Sequence, residues 1–203
     1  MRAEIERPTE VREAYVGPEL SEELVSHITL FALVVLFTLL ALGIYFELIP
    51  RGLIYASLVF WAVVFLAFEL LLWRLEPGRV WRAVWVGVFL MLLDFMVQMT
   101  GWLFGLWSVG GSMFQIGAVP IEIMLITLLG GTAWALYLPR SFDRLHTLMD
   151  ILVFATYGTL GEHLLRIAGL MVYKQWWGWP HAFAAYALTW MILHYFRYRV
   201  VRV

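Results

Sequence analysis

The sequence predicts an all-α membrane protein, a polytopic bundle of six transmembrane helices with both termini in the cytoplasm. The first observation is composition: 63% of the 203 residues are hydrophobic and only 14% are charged. Soluble domains carry roughly 45–50% apolar and about 25% charged residues, so this chain has too few polar side chains to cover a water-soluble surface. The second observation is a series of long apolar segments. The third is that arginine residues are concentrated in alternate connections between these segments.

Each predicted helix is an apolar segment that ends near a helix-breaking residue. A helix needs about 20 mostly apolar residues to cross a bilayer. Pro50, Pro139 and Pro180 are among the breakers between the segments. The six segments are 27–48, 52–73, 81–103, 116–138, 147–173 and 181–198. Together they form a predicted transmembrane domain over 27–203.

The basic residues set the predicted orientation. Short loops rich in Lys and Arg stay in the cytoplasm, and here only Arg51 and Lys174 lie in loops on the opposite side. Residues 1–26 form an acidic tail with seven glutamates, which we interpret as cytoplasmic. The expected location is the plasma or inner membrane of a prokaryote. The basic residues on the cytoplasmic side are Arg2, Arg7, Arg12, Arg74, Arg79, Arg82, Arg140, Arg144, Arg197, Arg199 and Arg202.

Several classes of function are excluded by what the chain lacks. There is no cysteine, so neither disulfides nor thiol catalysis can occur. The net charge of −1 gives no reason to expect a nucleic-acid partner. Zinc-protease and nucleotide-binding motifs are missing, and we predict neither a metal nor a cofactor. The expected partner is a membrane lipid or an isoprenoid, and the chain is either a homo-oligomer or a subunit of a membrane complex.

Acidic residues within the predicted helices are the candidates for function, because ionisable groups are costly at membrane depth. Asp94, Glu122 and Glu162 are expected in one layer of the outer half, with Glu122 about two turns below the surface. Gln98 shares a helix face with Asp94. Arg166 lies four residues after Glu162 and can neutralise it.

The remaining polar residues at depth have less specific interpretations. His163 is either a ligand-contacting residue or a hydrogen-bonded residue between helices. Glu69 and Asp150 are expected towards the cytoplasmic ends of their helices, and His194 near the inner end of the last helix. The Glu162–Arg166 pair itself is open to two interpretations, a structural ion pair or part of a functional site.

Aromatic residues dominate the predicted outer loops. Trp102 and Trp107 flank glycines in the third connection, and Trp176, Trp177 and Trp179 lie in the fifth. Such residues form interfacial belts in membrane proteins. The alternative is the rim of a pocket for a lipid-like ligand.

The segment from Asp94 through Trp102-Leu103-Phe104-Gly105-Leu106-Trp107 to Gly117-Ala118-Val119-Pro120-Ile121-Glu122 resembles the small membrane lycopene cyclases of the heterodimeric and fused type. That family places an Asp in one helix, a Trp-containing outer segment, and then Gly-x-Pro-x-Glu-Glu. The second Glu of the motif is Ile123 here. The second half of the chain resembles an uncharacterised family of small prokaryotic multi-pass membrane proteins.

The cyclase resemblance implies a redox-neutral isoprenoid cyclase or isomerase that works by acid catalysis. Glu122 would then be the acid, and Asp94 or Glu162 the electrostatic partner. Trp102 and Trp107 would form aromatic walls that stabilise a carbocation. Gln98, His163 and Arg166 would complete the substrate-binding set.

Two non-enzymatic interpretations stay open beside this one. The chain is also typical of a membrane component without catalysis, such as a lipid-binding, assembly or sensory subunit. Such a protein would keep its buried acids in local pairs. A small transporter is the third hypothesis, although no matching broken helices are visible in the two halves.

Overall fold

A computed structural model describes residues 22–50, 53–112, 114–174 and 176–203. Most of the acidic tail, up to residue 21, lies outside these residues. The described part of the chain contains six α-helices, and the last of them continues into a π-helical turn, Phe196–Val201. The helices are α1 (Glu22–Tyr45), α2 (Ile54–Trp73), α3 (Pro77–Leu103), α4 (Ile121–Tyr137), α5 (Arg144–Ile167) and α6 (Trp179–Tyr195).

The predicted helical class is confirmed, and the surface of the helices suits a membrane. Three helical stretches in the described residues, Leu24–Tyr45, Ile54–Trp73 and Pro77–Leu103, are long and apolar enough to cross a bilayer. α4 is also apolar but has only 17 residues. Large apolar side chains project outward along α1 and α2, including Phe31 and Leu71. An apolar surface this extensive is unfavourable in water and favourable in lipid.

α3 is the central helix of the bundle. It packs most extensively on α4, while α5 packs on α6, α2 on α4 and α1 on α5. At Gly87 of α3, an added Cβ would lie 2.2 Å from the Leu128 carbonyl oxygen and 2.2 Å from Thr132 Oγ1. Small residues allow membrane helices to approach this closely. The buried apolar core therefore forms around α3, α4 and α6, with Leu90, Trp134 and Leu193 among its members.

Two short antiparallel strand pairs, which the sequence did not predict, complete the fold. β1 (Trp107–Val109) pairs with β4 (Met171–Tyr173), and β2 (Gln115–Ile116) pairs with β3 (Val119–Pro120). The β1–β4 pair joins the α3–α4 connection to the segment that follows α5. We call this the aromatic end of the bundle. The arginine-rich end carries the α2–α3 and α4–α5 connections and the final turn.

The helix bounds differ from the predicted segments where the strands form. α4 begins at Ile121 rather than at 116, because the preceding residues make the β2–β3 hairpin around Gly117, whose φ is +63°. α5 ends at Ile167 rather than at 173, since Gly169 has a φ of +73° and the chain then enters β4. A positive φ is readily adopted by glycine and terminates a helix.

The contact at Gly87 makes a prediction about stability. Gly87→Ala would force the new methyl group into the α4 backbone, and we expect a loss of about 1–3 kcal/mol in the free energy of unfolding. Gly161→Ala is the matched control, because a Cβ at Gly161 meets nothing within 4 Å. It should be neutral or slightly stabilising, since alanine favours helix. Thermal unfolding of both variants in detergent measures the difference, and equal midpoints would contradict the packing.

Candidate functional site

Asp94 and Glu162, two of the three predicted catalytic acids, lie close together between α3, α5 and α6 at the aromatic end. The two carboxyl groups are within electrostatic range of each other, and the Gln98 side chain lies next to Asp94, one turn further along α3. The other carboxyl oxygen of Asp94, Oδ2, is buried and has no hydrogen-bond partner in the described residues. We call Asp94, Gln98, Glu162 and the two tyrosines that contact Glu162 the outer carboxyl cluster.

Two tyrosines lie beside the Glu162 carboxyl. The Tyr173 hydroxyl, in β4, donates to Glu162 Oε2, and Tyr186, in α6, is within electrostatic range of Glu162. Tyr186 reaches this position because its ring packs on Gly158, where a Cβ would lie 2.6 Å from the ring. Tyr186 is also within electrostatic range of Asp94. The residues that hold Glu162 therefore come from a strand and a helix that follow it in the chain.

Trp107 is the aromatic residue that contacts the outer carboxyl cluster. Its indole Nε1 donates to Gln98 Oε1 at 2.9 Å, and its side chain is only 6% exposed. The ring packs against Trp177, with 4.5 Å between ring centroids. Gly101 makes the close approach possible, because a Cβ there would lie 2.0 Å from the Trp107 ring. Trp107 is thus a buried residue beside the outer carboxyl cluster, whereas a residue of an interfacial aromatic belt would face lipid.

Arg166 does not form the expected ion pair with Glu162. Its guanidinium lies over the ring of Tyr173, 4.4 Å from the centroid, and no ion pair joins it to a carboxylate in the described part of the chain. The physical reason is that the Tyr173 hydroxyl occupies the Glu162 carboxyl. Arg166 remains exposed and contributes a cation–π contact to the rim of the cluster.

Glu122 occupies a different position from the one the sequence predicted. Because α4 begins at Ile121, Glu122 lies in the first turn of the helix rather than two turns deep. Ser112 Oγ donates to Glu122 Oε2 at 2.7 Å, and the negative charge of Glu122 also acts on Tyr55 of α2. A carboxylate in the first turn is stabilised by the helix dipole. Glu122 is therefore placed at the edge of the bundle, next to the α3–α4 connection.

Two of the predicted substrate-binding residues face outward. Trp102 is 49% exposed, and His163 is exposed as well. Within the described residues, neither contacts the outer carboxyl cluster through a hydrogen bond or ring packing. Of the eight predicted site residues, the structure thus unites Asp94, Gln98, Trp107 and Glu162, with Arg166 at the rim through Tyr173.

A second polar cluster, near the arginine-rich end, was not predicted as a site. The Asp150 carboxylate of α5 is fully buried. It accepts hydrogen bonds from Trp134 Nε1 at 2.9 Å and from the Tyr137 hydroxyl, and its Oδ2 lies 2.8 Å from His194 Nε2. These residues come from α4, α5 and α6. One feature of the sequence indicates this cluster. Asp150 and His194 lie near the same end of two successive antiparallel segments, and therefore at a similar depth.

His146 extends this second polar cluster towards α1. It is 1% exposed, and its Nε2 lies 3.0 Å from Ser26 Oγ. Its ring also makes an edge contact with His27, with 4.9 Å between the ring centroids. Glu69 of α2 is buried as well, and its Oε1 has no hydrogen-bond partner among the described residues. No group of three His, Asp or Glu side chains in the described ranges is arranged to hold a metal ion.

Comparisons with protein-family models, with curated proteins and with solved structures found no match for this chain. The cyclase resemblance is therefore carried by the quoted residues alone and stays a hypothesis.

The Asp150 cluster makes a prediction about stability. Asp150→Ala would leave three buried partners without their acceptor, and we expect a loss of about 3–5 kcal/mol in the free energy of unfolding. Asp143→Ala is the matched control at the N-cap of the same helix, because among the described residues Asp143 accepts only the His146 backbone N–H. The cap is worth about 1 kcal/mol. Chemical denaturation in detergent measures both variants, and a loss at Asp150 no larger than at Asp143 would be inconsistent with a stabilising cluster.

Proposed function

We propose that this protein is a multi-pass membrane protein that binds a polyisoprenoid lipid and isomerises it by acid catalysis at the outer carboxyl cluster. The observation that supports the proposal is the meeting of Asp94 and Glu162, which lie 68 positions apart in the chain, in one largely buried cluster. Ionisable groups at membrane depth are functional candidates by default. A pair from two helices, surrounded by aromatic residues, suits a hydrocarbon ligand better than a polar one.

The proposed reaction is redox-neutral, so only protons and electron pairs move. An acid adds a proton to one carbon of a C=C bond and leaves a carbocation on the other carbon. A second C=C bond of the same molecule then donates its electron pair to form the new C–C bond. A base finally removes a proton and restores a C=C bond. Substrate and product are isomers, and no oxidant is consumed.

The hydrogen bonding of the two carboxyls suggests their roles. Glu162 accepts a hydrogen bond from the Tyr173 hydroxyl, so we assign Glu162 as the group that stabilises the cation and accepts the final proton. Asp94 Oδ2 is bound to no other described group, so we assign Asp94 as the acid. Trp107 and Trp177 offer aromatic faces to the cation. Glu122, the acid that the cyclase resemblance implied, lies at the edge of the bundle and is tested together with Asp94 and Glu162.

We further propose that all six helices cross the membrane, with both termini in the cytoplasm. The three long apolar helices support membrane insertion. α4 is short, but the β2–β3 hairpin precedes it, and the π-helical turn lengthens α6. The distribution of arginines supports the orientation.

The orientation can be tested with single cysteines, because the chain has none of its own. Ser141 and Lys174 are exposed at opposite ends of the bundle. In intact cells, Lys174→Cys should react with a membrane-impermeant maleimide, whereas Ser141→Cys should react only after permeabilisation. The reverse pattern would contradict the proposed orientation, and labelling of both residues from one side would contradict the six spans.

The catalytic proposal is tested in a bacterial host that accumulates lycopene. We expect the wild-type protein to convert it to a product of equal mass but shorter-wavelength absorbance, measured by liquid chromatography and mass spectrometry of pigment extracts. Asp94→Asn and Glu162→Gln should each lower conversion by about 10²-fold or more, as loss of a general acid or base does. Glu122→Gln tests the carboxyl at the edge of the bundle. A loss of conversion as large as that of Asp94→Asn would identify Glu122 as the acid instead of Asp94.

Glu69→Gln is the matched control, because it removes a buried helical carboxyl outside the outer carboxyl cluster and should leave conversion unchanged. Expression of each variant is compared in the same membranes. Unconverted lycopene with wild-type protein, together with no isoprenoid in lipid extracts of the purified protein, would reject the proposal.

A non-enzymatic lipid-binding or assembly subunit is the second candidate. Two cavities lie in the described part of the chain, one of about 410 Å³ at the arginine-rich end and one of about 190 Å³ beside the α1–α2 connection. The observation that favours this candidate is that neither is lined by Asp94, Glu122 or Glu162. A bound isoprenoid that is recovered unchanged from the purified protein would select this candidate. Conversion that depends on Asp94 and Glu162 would exclude it.

A further inference from the structure

A cavity of about 410 Å³ lies at the arginine-rich end, where α3 begins and α4 ends. This volume falls in the range of small-ligand sites, which is roughly 300–1,000 Å³. The cavity is far from the outer carboxyl cluster and plays no part in the proposed reaction. Its walls are formed by Glu76, Arg79, Arg82, Arg140, Tyr198, Arg202 and Val203.

The side chains around this cavity carry an excess of positive charge, with four arginines and one glutamate. Glu76 is shared between two of them: its Oε atoms accept from Arg140 Nη2 at 3.0 and 3.1 Å, and Arg79 Nη1 lies 3.6 Å away. The guanidinium groups of Arg82 and Arg202 make no hydrogen bond or ion pair with any other described residue. The cavity thus retains positive charge that its own carboxylate does not balance.

Contacts with the end of α4 hold the cavity walls in place. Arg79 Nη2 donates to the Leu136 carbonyl oxygen at 2.7 Å, and the Tyr198 hydroxyl donates to the Pro139 carbonyl oxygen at 3.1 Å. These bonds satisfy carbonyl groups at and beyond the helix C-terminus. They also order part of the wall before any ligand arrives, which lowers the entropy cost of binding.

We propose that this cavity binds a phosphate group, carried either by the head group of an anionic phospholipid or by free phosphate. The planar guanidinium of arginine matches phosphate oxygens and forms strong, charge-assisted hydrogen bonds with them. Basic pockets at the ends of membrane helices bind anionic lipid head groups. Trp81 and Phe142, which are close to cavity residues in the sequence, are both 55% exposed. Such aromatic residues favour the membrane interface.

Binding is measured as the shift in thermal unfolding, followed by tryptophan fluorescence of the full chain in an uncharged detergent. The probes are dioctanoyl phosphatidylglycerol and inorganic phosphate, each titrated at low and high salt. Arg82→Gln and Arg202→Gln should each weaken binding by about tenfold, since each removes one charged donor. Arg144→Gln is the matched control, because Arg144 is exposed at the same end but does not line the cavity.

Glu76→Gln gives a change of opposite sign, which a general loss of folding cannot produce. Removing its charge raises the net positive charge of the cavity lining, so binding of the probe should become several-fold tighter. A shift with phosphatidylglycerol alone would identify a lipid head group as the ligand, and equal shifts with phosphate would identify the free anion. No shift with either probe, or shifts that Arg82→Gln and Arg202→Gln leave unchanged, would overturn the proposal.

Discussion

The close approach of α3 to α4 is the contact on which the other parts of the bundle depend. An α3 side chain larger than hydrogen at Gly87 would meet the α4 backbone, so the two helices can pack at this distance only through glycine. The facing Gly131 has the same role, since an added Cβ would lie 3.1 Å from the Gly87 Cα atom. In lipid there is little hydrophobic drive between helices, and tight packing supplies the attraction.

α3 also carries a polar site near each of its two ends. The half of α3 nearer the aromatic end presents Asp94 and Gln98 to α5 and β1, and its first turns present Arg79 and Arg82 to the cavity. A change at the α3–α4 contact would therefore disturb both sites. This arrangement separates the chemistry proposed for the outer carboxyl cluster from the anion binding proposed at the other end.

The Asp150 cluster and the outer carboxyl cluster accommodate buried carboxyl groups in different ways. A buried charge is tolerated only when it is paired and hydrogen-bonded. Asp150 has donors from Trp134 and Tyr137 together with His194, which is the arrangement expected of a stabilising group. In the outer carboxyl cluster, two carboxyls lie together, and one Asp94 oxygen has no hydrogen-bond partner in the part of the chain that the structure describes. Because of that difference, we propose a catalytic role for Asp94 and Glu162 and a stabilising role for Asp150.

The sequence by itself determined the helical class, the apolar segments and the unequal distribution of arginine, because composition and helix breakers act locally. It also identified Asp94, Gln98, Trp107 and Glu162 as candidates. Tertiary structure alone decided which polar groups meet. Arg166 is one turn from Glu162, yet the carboxyl accepts a hydrogen bond from Tyr173 and lies beside Tyr186. Such partners are brought together by β4 and by the rotation of α6, which no local pattern specifies.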